Sequence, residues 1–468
     1  MRESEDDKAR GTEEFCGTML LAHQKKCHKM FRGMADGELL YISVERNASE
    51  RILEDAQFIR ISLLTDEIIG YDFEMFGTEN RIVRLNEYRP YFVSFIVPLE
   101  ENRLGDIEVL GDGWHIGRFI GPKQMIANEG IVLNGILETS ASPVNYLDRR
   151  LLVFKNSSLS KSVLNHINHT YDPYHFSCSK SFDIEKILNN VWGRDVPKTI
   201  DIYNVGHGNA DYIRGFGNRI LYDIGYNYRS FPKQYKPKYL RAVYAIRKLK
   251  PGCVILSHWD LDHIIGCAYA DSHIFRKKWI APSLVTSKDK KATPNSVRLA
   301  NYLEALGSLH LVDREQKNKR IATIWCAGDI KMKLWLGSGS SRLNMKNREG
   351  LILEIVDKKG KYPHIILAGD VPYRCMPDIL EYSPDFLHVP HHCSNMELDR
   401  LKSMSGKGKC AVISTNRKKN GKLNYDATHH SELTNKFFSV VNTIDSEFGD
   451  EANLSVQIDY NKGDFHFR

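Results

Sequence analysis

The stretch SHWDLDHIIG at 257–266 places two histidines and two aspartates within six residues: His258, Asp260, Asp262 and His263. Imidazole and carboxylate are hard-to-borderline donors that suit zinc, manganese or iron. His258 and Asp260 are two residues apart, and so are Asp260 and Asp262. A tight turn after a strand can therefore fan all four side chains around a pair of ions. Two ions about 3.5–4 Å apart would share a bridging carboxylate and an activated water. The competing reading is a solvated polar loop. Against it stands the apolar run CVIL, directly before the motif, which sets these residues at the end of a buried strand.

Further donors lie at similar positions. Asp370 ends HIILAGD, where a carboxylate can bridge two ions or serve as a turn residue before Pro372. His391 and His392 follow LHVP. Adjacent side chains in extended chain point apart, so one of the pair is expected to ligate and the other to face a substrate. LNYDATHHSEL supplies His429 and His430. The same stretch reads as a helix N-terminus with Thr428 as cap and Glu432 in the first turn, and the two readings are compatible. Asp223, in LYDIG, is suited to orient a ligand histidine from behind. His207, in GHGNAD, either reaches the site or makes a structural hydrogen bond.

The elements that must position these groups are legible as apolar runs that open into polar clusters. IDIYNV precedes GHGNAD, RILY precedes DIGYN, CVIL precedes SHWDLDH, HIILA precedes GDVPY, and DFLHV precedes PHHCSN. Buried strands with polar loops at their C-terminal ends are how α/β sheets build sites, so these loops are expected to share one. Residues 238–250 read as an amphipathic helix leading into the strand before His258. GFGN at 215–218 is too short for a dinucleotide-binding fingerprint. Upstream the texture differs. Residues 1–35 are polar and basic, a leader or short helix. Residues 36–195 form a mostly β module (LLYISVE, QFIRISLL, RPYFVSFIV, RLLVFKN) with a helical end closing at Gly193. A boundary is expected at 193–198, which leaves 196–468 as the site-bearing domain.

These motifs resemble the metallo-β-lactamase fold, in particular the branch near the hydrolase domain of the competence protein ComEC. SHWDLDHIIG is similar to that branch's HxDxDHxGG, except that Ile265 replaces the first glycine. NVGHGNAD at 204–211, Asp223-Ile-Gly225, NREGLIL at 347–353, LAGD ending at Asp370, VPHHCS at 389–394 and LNYDATHH resemble its further elements in the same order. The resemblance covers roughly 199–468. It implies an αββα sandwich and a centre of two divalent ions, Zn²⁺ or Mn²⁺. The implied ligands are His258, Asp260, Asp262, His263, Asp370, His392 and His429. Asp223, His207 and His430 would lie behind them, with His391 and Ser394 toward substrate. His258, Asp262 and His391 would carry the chemistry, with His391 touching the scissile phosphate or protonating the leaving oxygen. Cys393 stands where glycine is usual, a position from which its side chain would narrow the site.

The implied activity is phosphodiester hydrolysis with nucleic acid as the leading substrate. A small phosphodiester or ester hydrolase, or a regulatory subunit that retains the fold, is the alternative. Of the 468 residues, 65 are basic and 58 acidic, and the resulting +7 permits a polyanionic substrate without demanding one. Basic runs at 276–278, 288–293, 317–320 and 406–422 would follow a phosphate backbone if they converged. The nine cysteines contain no CxxC pair, which argues against a zinc ribbon and fits a reducing cytoplasm. No run of about 18 apolar residues predicts a membrane span, and the charged start MRESEDDKAR lacks a secretory h-region. A cytoplasmic hydrolase with an added β module suits a bacterial multi-protein system, for instance phage defence, with the module available to a protein partner.

Overall fold

A computed structural model describes residues 39–45, 58–76, 92–98, 114–120, 130–139, 147–154, 159–206, 208–226, 245–285, 292–316, 318–338, 349–415, 425–443 and 455–468. The expected leader at 1–35, His207 and much of the helix expected at 238–250 lie outside these residues. So do the basic runs over 286–291 and 416–424. The chain divides into two units, the first centred on 56–171 and the second on 172–468.

In the first unit, six strands close into an antiparallel barrel: β1 (Leu40–Glu45), β2 (Phe58–Leu64), β3 (Val93–Pro98), β4 (Trp114–Ile120), β5 (Gly130–Thr139) and β6 (Leu147–Phe154). The order round the barrel is β1-β2-β3-β5-β6-β4, and closure leaves no edge strand exposed. Leu40, Ile61, Phe95, Phe119, Leu133 and Leu151 are buried. Helix α1 (Asp66–Phe76) packs on α2 (Lys161–Thr170), and Tyr171 donates to Asp72 at 2.7 Å. The β-rich module expected from alternating runs is thus present.

The boundary expected near 193–198 falls earlier, between Tyr171 and Asp172. The reason is α3 (Ser181–Trp192), which sequence reading assigned to the β module. Its apolar stripe, Ile184, Leu188 and Trp192, is buried in the core of the second unit. Gly193 ends it in a left-handed conformation, as the sequence leads one to expect.

The second unit is an αββα sandwich. The first sheet contains β7 (Cys178–Ser179), β8 (Thr199–Tyr203), β9 (Asp211–Arg214), β10 (Arg219–Tyr222), β11 (Cys253–Ile255), β12 (Lys278–Pro282), β13 (Leu309–Val312), and the C-terminal hairpin of Ser455–Asp459 and Asp464–Phe467. The second contains β14 (Arg320–Trp325), β15 (Ile330–Leu336), β16 (Leu351–Asp357), β17 (Ile365–Leu367), β18 (Phe386–His388), β19 (Gly408–Ile413) and β20 (Phe437–Asn442), in that order. Ile202, Ile220 and Ile255 of the first sheet share one buried core with Leu334, Leu353, Leu367 and Phe386 of the second, which is how two sheets pack face to face. Outside the first sheet, Tyr302 of the helix Pro294–Ala305 packs on Phe275, which stacks on Trp279 of β12. Outside the second, Leu401 of Asp399–Ser403 and Leu433 of Ala427–Lys436 join Ile366, Leu387 and Ala411 in a separate core.

Each sheet is antiparallel on one side and parallel on the other. β10 through β13 run parallel, as do β17 through β20. The C-terminal ends of β10, β11, β17 and β18 open at one end of the sandwich, where Tyr222 donates across the sheets to the Leu351 carbonyl at 2.7 Å.

Candidate metal centre

The loop after β11 begins with Ser257 and His258, and Leu261–Ile264 then makes a single helical turn. The turn is pressed against neighbouring backbone. A Cβ on Gly225 would lie 1.9 Å from the Asp262 carbonyl oxygen, and one on Gly208 would lie 2.5 Å from it. The glycines of the DIG and GHGNAD stretches are therefore requirements of close approach to the HxDxDH turn.

Asp223 organises the turn from behind. Its Oδ1 accepts from the Ser257 N–H at 2.6 Å, and its Oδ2 accepts from the Ser257 hydroxyl at 2.7 Å and from His263 Nδ1 at 2.8 Å. The Ser257 hydroxyl proton is thus committed to Asp223, so its oxygen accepts from His258 Nδ1 at 2.9 Å. The loop after β18 adds a third ring, with His392 Nδ1 donating to the Ser414 carbonyl at 2.9 Å. A carboxylate and a carbonyl can only accept, so all three imidazoles carry their protons on Nδ1 and turn Nε2 toward one point.

That point is Asp370. Its carboxylate oxygens lie 3.6 Å from His258 Nε2, 3.1 Å from His263 Nε2, 3.7 Å from His392 Nε2 and 3.7 Å from His391 Nε2. Asp260 stands 3.6 Å from His258 Nε2, and Asp262 stands 3.5 Å from His392 Nε2. His258, His263 and Asp370 offer ligand atoms within 4.8 Å of one another, and so do Asp262, His263 and His392. Among the described residues, Nε2 of His258 is buried without a hydrogen bond, and Nε2 of His263 is buried against Asp370. Burial alone would lower the His263 pKa, but the Asp370 and Asp223 carboxylates outweigh it and hold the ring well above its ordinary value. Burial would likewise raise Asp370, yet His263, His391, His392 and His258 hold it well below the usual carboxylate range. Buried imidazole nitrogens around buried carboxylates demand positive charge, and this donor set fits divalent cations.

The backbone of the second loop is unusual. His391, His392 and Cys393 take φ of 49°, 55° and 62°, three successive left-handed residues without glycine. Such conformations cost free energy and persist where surrounding bonds enforce them. Here His391 N–H donates to the Gly369 carbonyl, and the Asp426 N–H donates to the Cys393 carbonyl. The left-handed turn also separates the adjacent rings: His392 is buried, whereas His391 is half-exposed beside Asp370. Cys393 does not narrow the site. It is buried in the core on the helix side of the second sheet.

Of the expected residues, His258, Asp260, Asp262, His263, Asp370, His391, His392 and Asp223 come together. His429 does not join them. Its Nδ1 donates to the Ser394 carbonyl at 2.9 Å, and Nε2 accepts the Tyr373 hydroxyl at 2.8 Å. Burial pushes its pKa down to about 4. Both nitrogens are engaged, so in this arrangement the ring clamps the loop through Ser394 instead of facing Asp370. His430 stacks on Tyr425. The cap of this helix is Asp426, whose carboxylate accepts the His429 N–H at 2.7 Å, and not Thr428. GFGN at 215–218 has an internal anion: the N–H groups of Phe216, Gly217 and Asn218 all donate to Asp195.

Three groups near the centre escaped sequence reading. Buried Asp211 accepts from His388 Nδ1 at 2.7 Å, and His388 Nε2 meets the Ser414 hydroxyl at 3.0 Å. Asp211 closes NVGHGNAD and His388 interrupts an apolar strand, so each was visible singly. Arg314 is buried against Glu349 at 3.4 Å. Burial lowers its pKa, while the Glu349 and Asp260 carboxylates pull it back up.

No family model and no curated protein matches the chain. Solved structures with a similar fold include the metallo-β-lactamase fold protein YhfI from Bacillus subtilis, at 12% identity over 53% of this chain and 96% of that one, with a TM-score of 0.29. Human tRNase Z, short form, aligns at 13% identity over 52% of this chain and 91% of that one, with a TM-score of 0.26. Zn²⁺-bound PqqB from Methylobacterium extorquens aligns at 12% identity over 57% and 92%, with a TM-score of 0.27.

Proposed function

We propose that the chain is a metal-dependent hydrolase of phosphodiesters, with nucleic acid as its leading substrate class. The observation that carries this reading is the convergence of three Nδ1-anchored imidazoles, His258, His263 and His392, on the buried carboxylate of Asp370. Asp260 and Asp262 flank it on either side. His258, His263 and Asp370, and likewise Asp262, His263 and His392, bring ligand atoms close enough together that these residues would hold divalent ions, with Asp260 beside His258. Such ions, when bound, lower the pKa of a coordinated water toward neutrality and polarise a phosphoryl oxygen. Asp223 and Ser257 keep the first loop's rings aimed, so the ligand atoms are placed before substrate arrives. His391, half-exposed 3.7 Å from Asp370, is positioned to contact a phosphate oxygen or protonate the departing one.

The phosphodiester assignment takes its support from the motif order, which resembles the competence-protein hydrolase domain. A cytoplasmic setting, a protein partner for the barrel unit and a place in a bacterial defence system belong to the same proposal. Among the described residues no helix is long and apolar enough to cross a membrane.

The test is incubation of the purified chain with single- and double-stranded DNA and RNA, adding Mn²⁺, Zn²⁺ or Mg²⁺ in turn, beside Asp262→Ala. Cleavage that requires metal and disappears in the variant is expected. Metal bound without cleavage of any of the four would overturn the nuclease assignment and move the reading to a small phosphodiester.

A further inference from the structure

Behind His392, on the side away from Asp370, three buried side chains form a continuous polar chain. Asp211, His388 and Ser414 are all buried. They come from the start of β9, the end of β18 and the residue after β19, so the chain ties the first sheet to the second. His388 Nδ1 lies 2.7 Å from Asp211 Oδ2, His388 Nε2 lies 3.0 Å from Ser414 Oγ, and the Ser414 carbonyl accepts His392 Nδ1 at 2.9 Å.

The three residue types are those of an acyl-transfer triad, and that reading fails on access. A nucleophilic hydroxyl must reach a substrate, and Ser414 is fully buried. Stability is a weak reason to keep such a chain. A buried acid–imidazole pair loses its hydration, and apolar residues of similar volume commonly fill such places as well or better. His388 occupies an inward position on β18, whose neighbours Phe386 and Leu387 are wholly apolar and buried. The remaining role is directional. Asp211 fixes which nitrogen of His388 carries the proton. His388 then fixes the rotamer of the Ser414 hydroxyl, and with it the plane of the residue whose carbonyl holds His392.

We propose that Asp211, His388 and Ser414 form a buried relay of positioning residues that sets the ring orientation and tautomer of His392, so that its Nε2 meets a divalent ion. The proposal rests on the metal-centre reading above. It assigns His392 an orienting network of its own, distinct from the Asp223–Ser257 network that serves His258 and His263. Three of the rings around Asp370 are thus each held through Nδ1, two from the first sheet's loop and one through this relay.

The experiment is a Zn²⁺ titration of the full chain against a chromophoric chelator, with thermal unfolding of each variant as a folding control. His388→Gln and Asp211→Asn are expected to weaken Zn²⁺ binding about 10–100-fold, the usual consequence of losing an orienting partner. Ser414→Ala keeps the carbonyl, deletes only one hydroxyl and is expected to fold; its loss should be smaller and in the same direction. The decisive measurement is a cycle with His392→Ala: if His388 acts through His392, the His388→Gln loss vanishes in that background. A His388→Gln loss of equal size with and without His392 overturns the proposal. Zn²⁺ affinity unchanged in folded Ser414→Ala and His388→Gln overturns it too. A wild-type chain that binds no Zn²⁺ removes the metal-centre reading and this inference together.

Discussion

The loop after β11 and the loop after β18 present imidazoles to the same carboxylate, Asp370, and hold them by different means. In the first, side chains do the holding. One aspartate, Asp223, and one hydroxyl, Ser257, collect the Nδ1 atoms of His258 and His263 within 2.9 Å, and the backbone relaxes into a helical turn. In the second, the backbone does it. Three left-handed residues in succession, 391–393, throw His391 and His392 to different sides, and main-chain carbonyls at Gly369, Ser394 and Ser414 tie the segment down. A site aimed by side-chain bonds is sensitive to the loss of single atoms. A site aimed by strained backbone is sensitive to whatever enforces the strain.

The largest effect should come from the group both loops share. Asp370→Asn keeps the shape of the side chain and removes the charge that four imidazoles face. Metal stoichiometry, read by plasma emission after dialysis, should fall, and hydrolysis should drop by more than the roughly 10–100-fold typical of an orienting group. Retention of full stoichiometry would show that the two loops hold metal independently.

Next in size is Asp223→Asn. An amide can present its NH₂ to His263 and reverse that ring's tautomer, so the variant should lose about 10–100-fold in metal affinity. Ser257→Ala spares the His263–Asp223 bond and removes the one to His258, so its loss should be smaller. A titration that ranked Ser257→Ala above Asp223→Asn would mean that His258, not His263, is the ring whose aim matters most.

The first loop was also the more legible of the two from sequence. His258, Asp260, Asp262 and His263 are clustered along the chain after an apolar run, so a local turn suffices to bring them together. The second loop's supports are scattered. Asp211 and His388 are 177 residues apart and become one unit only because two sheets meet face to face. His429 illustrates the limit more sharply. Spacing allowed it to be a ligand or a member of a helix N-terminus, and only the positions of Tyr373 and the Ser394 carbonyl, both distant along the chain, commit its Nε2 and its Nδ1 elsewhere. Helix α3 was recognised, with its terminal Gly193, but its destination was not, because an amphipathic stripe does not say which core receives it. An α/β sheet with its site at strand ends was readable from the apolar runs ending in polar clusters, four of which, before Asp223, Ser257, Gly369 and Val389, are strands with parallel partners, whereas the αββα sandwich followed only from the family resemblance.

The clamp on the second loop predicts a pH dependence. His429 is neutral in the folded chain, with a pKa pushed by burial from 6.5 to about 4. Below pH 6.5 the unfolded chain takes up a proton that the folded chain refuses, so folding stability falls as pH drops through 6.5 toward 4. The full contribution is on the order of 3 kcal/mol. His429→Gln retains hydrogen-bonding capacity without titrating, so urea unfolding at pH 7 and pH 4.5 should show a shallower loss in the variant. Equal losses in the two proteins would mean that the native ring takes up its proton as readily as the unfolded one.

The smallest effect concerns Cys393, and there the sign carries the information. Glycine at an ordinary buried position is less stable than alanine, because it orders more backbone and buries less surface. At φ 62° the preference should invert, since a left-handed residue with a Cβ is penalised by about 1–2 kcal/mol. Cys393→Ala keeps that penalty and loses the buried sulfur, so it should destabilise by about 1 kcal/mol. Cys393→Gly loses the Cβ contacts as well but sheds the penalty, so it should lie within about 1 kcal/mol of wild type, above the alanine variant. The side chain faces the helix-side core and not Asp370, so Zn²⁺ affinity should be the same in all three. If denaturant midpoints place glycine below alanine, the turn adapts to its residues and the backbone does not hold His391 and His392 apart. If glycine lies above alanine, the strain is real and is retained in a loop that a glycine would relax.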